Sequence, residues 1–286
     1  MPSLADDPST FTAALPVSRE TVYFLARSLH QRRSALGTRR GTRALSPFKQ
    51  AVLVLRWFLN ATRVAQLADD NAIALSTAYT RLHEGIDVLA ALAPDVHEAL
   101  LAAKAAGATH LNLDGTLIHT DRIAARGPNG ADLWWSGKHK RHGGNIQVLS
   151  HPDGFPGWVS HVRPGREHDT TRAKAAEDLL PALALYEAEY GMPTLTDLGY
   201  INLSRAIRHP HKKPKGGEPT AAQSTYNKVI RGVHGVAERA NALLKETFTA
   251  LQKISLDPWR IGAITKAALV LLHLEHHRPL SGGYTT

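Results

Sequence analysis

The chain has 286 residues, enough for one large domain or two modest ones with a sizeable hydrophobic core. Its 34 Lys and Arg residues outnumber 25 Asp and Glu residues, and the net charge is +9, which favours an acidic partner, with nucleic acid as the leading candidate. Cysteine is absent, which excludes disulfides and cysteine-ligated zinc and fits a cytoplasmic protein. We expect neither a signal peptide nor a membrane span, because no long uncharged apolar run is present.

Residues 1–44 predict an N-terminal helix and a basic arm. After a polar lead, the helix is predicted from Ser18 to Leu29. The basic run that follows is either a solvated linker face or an arm that contacts phosphates. Its members are Arg32, Arg33, Arg39, Arg40 and Arg43.

Residues 45–106 predict a small all-α domain. Ser46-Pro47 is a good helix start, with proline at the first helical position. Further helices are predicted at 62–68 and 76–92, and the short turn between them is typical of a helix-turn-helix that binds DNA. An ordinary three-helix packing unit is the alternative. The residues expected to face a DNA groove are Thr77, Tyr79 and Arg81.

Residues 107–286 predict a mixed α/β domain. The segment HLNLDGTLIHT alternates apolar and polar residues, which predicts a strand carrying Asp114. Two more strands, 145–151 and 157–162, suggest an antiparallel meander, and a short fourth strand ends at Asp197. Predicted helices at 172–190, 201–207, 221–251 and 259–275 would flank a mixed sheet of about five strands.

Three further clusters in this domain have competing interpretations. Trp134 and Trp135 favour core or loop packing over stacking on a base, and Asp169 of the His168-Asp169 pair favours a helix N-cap. The histidines around Glu275 favour surface groups at a helix end over a zinc site. The basic residues expected to contact DNA between the first two strands are Lys138, Lys140 and Arg141.

Three acids form a candidate catalytic set. The first and fourth strands of such a sheet can be neighbours, which would bring Asp114 and Asp197 together, and Glu238 lies beside the apolar stripe of helix 221–251. Asp114 could instead cap a turn with Gly115, and Glu238 could be a solvated glutamate. Carboxylates without cysteine suit Mg²⁺ or Mn²⁺, and two such ions would support phosphodiester cleavage.

Four segments carry a resemblance to a known family: LNLDGTLI, GREHDTTRA, LTDLGYINL and VAERANALLK. In this order they resemble the DDE transposases of bacterial insertion sequences, in the group that shares its catalytic domain with Harbinger-type transposases. The resemblance implies a ribonuclease H-like fold behind a helix-turn-helix domain. It implies that Asp114, Asp197 and Glu238 are a metal-binding triad, and that Lys245 is a DNA-contacting residue.

One position departs from the family pattern. Many relatives have an arginine four residues before the glutamate, where this chain has His234. Arg231, one helical turn earlier, could supply the phosphate contact instead. Arg239, beside Glu238, is also expected to face DNA.

The implied function is transposition of a DNA element by metal-dependent strand cleavage and strand transfer. Expected partners are the terminal inverted repeats and target DNA, with a homo-oligomer on DNA as an option, no membrane, and a nucleoid-associated location in the cytoplasm. A metal-dependent nuclease on the same fold and a non-catalytic DNA-binding protein derived from a transposase are the alternatives.

Overall fold

The computed structural model describes residues 14–127, 130–176 and 178–279, so most of the predicted polar lead lies outside the described residues. In the described part, five helices precede the first strand. They are α1 (Arg19–Ala35), α2 (Pro47–Asn60), α3 (Val64–Asp70), α4 (Leu75–Ala90) and α5 (Val96–Ala105). The predicted helix start at Ser46 is confirmed, because its side chain accepts a hydrogen bond from the Lys49 amide at 3.2 Å.

Eight strands form one mixed sheet within the described residues. They are β1 (Leu111–Thr120), β2 (Trp135–Ser136), β3 (Arg141–Ser150), β4 (Pro156–Val159), β5 (Arg163–Pro164), β6 (Thr194–Leu195), β7 (Ile207–Arg208) and β8 (Lys253–Ile254). The central β1 pairs antiparallel with β3 and parallel with β6. The predicted adjacency of the first and fourth predicted strands is thereby confirmed. The count exceeds five because the sheet includes two-residue strands that the sequence pattern did not predict, namely β2, β5, β7 and β8.

Helices flank the sheet, which confirms the predicted mixed α/β class with an all-α segment in front. They are α6 (Asp169–Ala175), α7 (Leu179–Tyr190), α8 (Ala221–His234), α9 (Val236–Thr247) and α10 (Ile261–Glu275). No helix in the described ranges is long and apolar enough to cross a membrane.

The predicted long helix 221–251 is wrong, because the chain breaks at Gly235 between α8 and α9. Glycine loses more conformational freedom in a helix than other residues, so a break is least costly there. As a result, the predicted apolar stripe is continuous only in α9. Ala237, Ala240 and Leu244 are buried, whereas Val229 of α8 is 57% exposed.

Two other predicted helices also differ from the structure. The helix predicted at 172–190 is two helices, α6 and α7. The helix predicted at 201–207 is absent: a one-turn 3₁₀ helix, Leu198–Tyr200, leads through turns into β7. Asn202 has a φ of 60°, and this left-handed conformation is incompatible with a continuing right-handed helix.

The N-terminal helices share a hydrophobic core with the end of the chain. Helix α10 packs against α4, and buried residues of both belong to one apolar cluster that reaches β1, β3 and β4. At the end of α10, Glu275 accepts hydrogen bonds from the backbone and side chain of Ser18. The helical segment and the sheet therefore share one hydrophobic core.

Candidate active site

Asp114 and Asp197 lie at the same level of two adjacent parallel strands. The last paired residues of β1 and β6 are Asn112 and Leu195, and each aspartate follows two residues later. One Asp114 oxygen accepts the Gly115 amide at 2.8 Å, and Asp197 accepts the Gly199 amide at 2.8 Å. The hydrogen bond between Asp114 and Gly115 that the turn-capping alternative predicts is therefore present, and Asp114 also lies beside a second acid.

The Asp114 carboxyl is in an unfavourable environment for its negative charge. Burial raises its pKa to about 6, and the charges of Asp197 and Asp169 add to the increase. The Gly115 amide and the Lys138 charge oppose the shift without cancelling it. Negative charge is therefore in excess around Asp114, which a bound cation would offset.

Asp169 is a site residue that the sequence interpretation assigned to another role. The predicted N-cap is wrong, because His168 occupies that position and Asp169 begins α6. Its carboxylate accepts a hydrogen bond from Arg172 at 2.8 Å and lies 3.5 Å from the Lys138 ammonium. Its place in the quoted GREHDTTRA segment was the signal that could have identified it.

Two glycines let the acids approach one another. A Cβ at Gly199 would lie 2.9 Å from Asp197 Oδ1 and 3.2 Å from Asp169 Oδ2, so the two carboxylates face each other across this residue. A Cβ at Gly115 would lie 3.0 Å from Asp169 Oδ1 and 3.1 Å from the Tyr200 hydroxyl. Any side chain at either position would therefore disturb the acid cluster.

Helix α9 presents one polar face to β1. Asn241 Nδ2 donates to Asp114 Oδ2 at 2.8 Å, and Lys245 Nζ donates to Thr116 Oγ1 at 2.7 Å. Burial lowers the pKa of Lys245, and the charge of Asp114 opposes that shift. Glu238 is exposed and lies three residues before Asn241, on the same helix face one turn earlier.

His234 connects Glu238 electrostatically with Asp197. It ends α8, and burial lowers the pKa of its imidazole. The charges of Asp197 and Glu238 and a hydrogen bond to the Leu195 backbone act in the opposite direction. The histidine that replaces the arginine of the family pattern therefore interacts with the charges of two of the three candidate acids.

The donors of the site suit a hard divalent cation. Asp114, Asp197 and Asp169 offer carboxylate oxygens, and the buried Asn241 Oδ1 has no hydrogen-bond partner. Among the described residues, however, no three His, Asp or Glu side chains are grouped closely enough to hold a metal ion. Neither Glu238 nor Asp169 is therefore gathered with Asp114 and Asp197 at ligating distance.

The predicted DNA-contacting residues occupy two surfaces. Lys138 and Lys140 lie in the exposed turn before β3, Arg141 begins β3, and Arg231 and Arg239 are exposed on α8 and α9.

In the N-terminal helices, Tyr79 is 40% exposed and stacks on His83, and Thr77 is half-buried. Arg81 pairs with Glu84, which also binds Arg43. In the predicted basic arm, Arg33 donates to the Leu45 carbonyl, while Arg32, Arg39 and Arg40 are exposed.

Two of the competing interpretations are resolved by burial. Trp134 is 1% exposed and packs edge-on against Trp259, which confirms core packing. The predicted surface position is wrong for His273, which is 3% exposed with its ring nitrogens 2.8 and 3.2 Å from the carbonyl oxygens of Pro156 and Pro279. His276 and His277, which follow the helix, are exposed, as predicted.

Comparison with known proteins gives the family. Residues 113–273, more than half of the chain, match the family described as DDE superfamily endonuclease. The chain belongs to this family, as the resemblance of its four segments indicated. The matched range includes Asp114, Asp197 and Glu238.

A structural comparison and a search of curated proteins add little. A solved structure described as "Mos1 transposase paired-end complex with left transposon end" has 13% sequence identity and a TM-score of 0.22. The match covers 88% of this chain and 84% of that one. No curated protein matches the chain.

Proposed function

We propose that this protein is a transposase that cleaves DNA at the ends of an insertion element and joins the freed 3′-hydroxyl to target DNA. The observation that carries the proposal is the placement of Asp114 and Asp197 at one level of adjacent parallel strands. The raised pKa of Asp114 supports it, because crowded carboxylates at a functional site are suited to a cation. Membership of the DDE superfamily endonucleases supports it independently.

Asp114, Asp197 and Glu238 are the residues proposed to hold Mg²⁺ or Mn²⁺, in a site for two ions. When bound, such ions supply activation of the attacking water or hydroxyl and stabilisation of the leaving oxygen. Glu238 is exposed at the start of α9, on the face that already contacts β1 through Asn241 and Lys245. In the proposed metal-bound state the Glu238 side chain turns toward the aspartates.

The chain's own residues orient the acids and hold the DNA. Asn241 fixes one oxygen of Asp114, which leaves the carboxylate in one orientation toward the site. Lys245 is anchored on β1 beside the acids, where its ammonium can approach a phosphate. The exposed basic residues proposed to bind phosphates around the site are Lys138, Lys140, Arg141, Arg231 and Arg239.

We propose that α2, α3 and α4 form a helix-turn-helix that reads the terminal inverted repeats. The exposed Tyr79 near the start of α4 is suited to contact a groove, and Thr77 lies two residues before it. Pairing of Arg81 with Glu84 means that this guanidinium must exchange partners to reach a base or phosphate. Target DNA, association with the nucleoid and an oligomer assembled on DNA belong to the same proposal.

The test is a cleavage and strand-transfer assay with the full chain, Mg²⁺ and a plasmid carrying the DNA that flanks the gene on both sides. Wild-type protein is expected to nick the flanking DNA and produce joined products, and Asp114→Asn to do neither. Asp121→Asn is the matched control, because Asp121 pairs with Lys253 at the far end of β1 and should be dispensable. Nicking without joined products would identify a nuclease instead, and DNA binding without nicking a non-catalytic DNA-binding protein.

A further inference from the structure

The segment between β7 and the end of α8 is strongly basic. Residues 208–231 contain six Lys and Arg residues and one acid, Glu218. The six are Arg208, Lys212, Lys213, Lys215, Lys228 and Arg231. The segment carries a large share of the net charge of the chain, yet only Arg231 has a role in the proposed site.

Both ends of this segment are fixed beside Asp197. Leu195 of β6 pairs with Arg208 of β7, and the Thr196 amide donates to the Arg208 carbonyl at 2.9 Å. The basic loop therefore begins next to the end of β6, which Asp197 follows by two residues. At the other end, α8 terminates at His234, whose side chain is hydrogen-bonded to the Leu195 backbone two residues before Asp197. A duplex bound at Asp197 would therefore lie close to the start of this loop.

The loop is held against α8 by a buried polar residue. Asn227 is 5% exposed, and its side chain accepts the His211 amide at 2.6 Å and donates to the His211 carbonyl at 3.0 Å. The His211 and Tyr226 rings lie 4.9 Å apart between centroids. A capping box between Thr220 and Gln223 starts the helix. The charges are thus displayed on an ordered scaffold, which reduces the entropy lost on binding.

Three lysines of this basic segment form no ion pair within the described residues. Lys213 pairs with Glu218, and Arg208 pairs with Glu187. Across the described ranges, Lys212, Lys215 and Lys228 have no acidic partner, and all three are exposed. An ordered surface with unpaired ammonium groups suits a ligand with repeated negative charges, because each phosphate can bind one lysine.

We propose that Lys212, Lys215 and Lys228, held by Asn227, bind the phosphate backbone of duplex DNA alongside the active site, independently of sequence. This inference rests on the proposed function, since it assumes that DNA is the substrate of the neighbouring acids. The contact would position the duplex and would add affinity shared by element ends and target DNA.

The experiment measures how DNA affinity depends on salt. The full chain is titrated onto a fluorescent mixed-sequence duplex of roughly three helical turns, about 30 base pairs, by fluorescence anisotropy. Each phosphate contact contributes about 0.9 to the slope of log affinity against log salt. Lys212→Gln and Lys215→Gln are each expected to reduce that slope by about 0.9, and the double variant by about twice as much.

Lys104→Gln is the matched control. Lys104 lies over the Tyr190 ring. The helices of these two residues, α5 and α7, lead into the starts of β1 and β6, whereas Asp114 and Asp197 lie further along the chain. The slope of log affinity against log salt for Lys104→Gln is expected to equal that of the wild-type protein. Asn227→Ala is a second probe, because it releases the loop without removing charge and should weaken binding with little change in slope. Its thermal unfolding is followed to separate loss of the loop from loss of the fold.

The outcomes separate the two proposals. Wild-type protein that binds no DNA even at low salt would overturn the proposed function. Wild-type binding with unchanged slopes in both lysine variants would overturn this inference alone. Equal reductions in the lysine variants and in Lys104→Gln would also overturn it, because the effect would then reflect net charge and not this surface.

Discussion

The side-chain amide of Asn241 on α9 donates a 2.8 Å hydrogen bond to the Asp114 carboxylate on β1. This bond joins the helix that carries Glu238 to the strand that carries the first acid. It fixes the orientation of Asp114 and sets the distance between the two elements at the site. The carbonyl oxygen of the same amide is buried without a hydrogen-bond partner.

We expect Asn241→Ala to lower DNA cleavage by roughly tenfold or more, the usual effect of removing a residue that orients a metal-binding carboxylate. DNA binding should be unchanged, because no positive charge is lost. Thr247→Ala, at the end of the same helix, is the control. Cleavage rates measured in Mg²⁺ at saturating protein would test this, and equal rates for the two variants would contradict an orienting role.

The raised pKa of Asp114 predicts a dependence of stability on pH in the absence of metal. Its folded pKa is about 6 and the ordinary value is 3.8, so the folded state binds the proton more tightly. Stability in EDTA should therefore fall as pH rises from about 4 to about 6, and Asp114→Asn should remove this fall. At pH 7 the variant should be more stable by about 3 kcal/mol at most. Thermal unfolding of both proteins across this pH range checks the expectation, and parallel curves would contradict it.

Gly115 is predicted to be sterically necessary. A Cβ there would lie 2.9 Å from Gln147 Nε2, 3.0 Å from Asp169 Oδ1 and 3.1 Å from the Tyr200 hydroxyl. Gly115→Ala should destabilise the fold by about 1–3 kcal/mol and reduce cleavage, because these groups must move. Gly232→Ala is the control, since nothing lies within 4 Å of its Cβ position in α8. Denaturant unfolding should show a lower free energy of unfolding for Gly115→Ala and a slightly higher one for Gly232→Ala.

The part of the site that the sequence predicted depends on local pattern. Alternation placed Asp114 on a strand, and the order of elements brought Asp197 beside it. The contributions of Asp169 and Asn241 were not predicted, because they depend on how α6 and α9 pack on the sheet. The break at Gly235 was missed because the apolar residues on both sides of it keep helical spacing, although Val229 faces solvent. Tertiary packing decides such cases, and periodicity alone does not report it.

Asp169 is expected to be required for stability as well as for the site. Its partner Arg172 is 5% exposed and keeps only the Gly165 carbonyl as a hydrogen-bond acceptor when the carboxylate is removed, so a buried guanidinium would lose its hydrogen-bonded counter-charge. Asp169→Ala should cost about 3–5 kcal/mol. Glu167→Ala, which breaks a more exposed pair with Arg163, should cost less than about 1 kcal/mol. Chemical denaturation of the two variants gives the comparison, and similar losses would show that the Asp169 pair is not buried in solution.

Glu238 carries the last prediction, because its place in the triad rests on the resemblance and on the face of α9. It lies on the same face as Asn241 and Lys245, which both reach β1, and its charge acts on His234 together with that of Asp197. Glu238→Gln keeps size and helix propensity but removes the charge that a divalent ion needs. We expect cleavage to fall by roughly a hundredfold or more, the scale of a lost electrostatic contribution to catalysis.

Glu246→Gln is the control, because Glu246 is exposed on the same helix and has no counterpart in the motif. The fold and DNA binding should survive both changes, as unfolding and anisotropy measurements would show. Equal cleavage by the two glutamine variants would remove Glu238 from the site, and Asp169, already beside Asp114 and Asp197, would then be the acid to test as the third ligand.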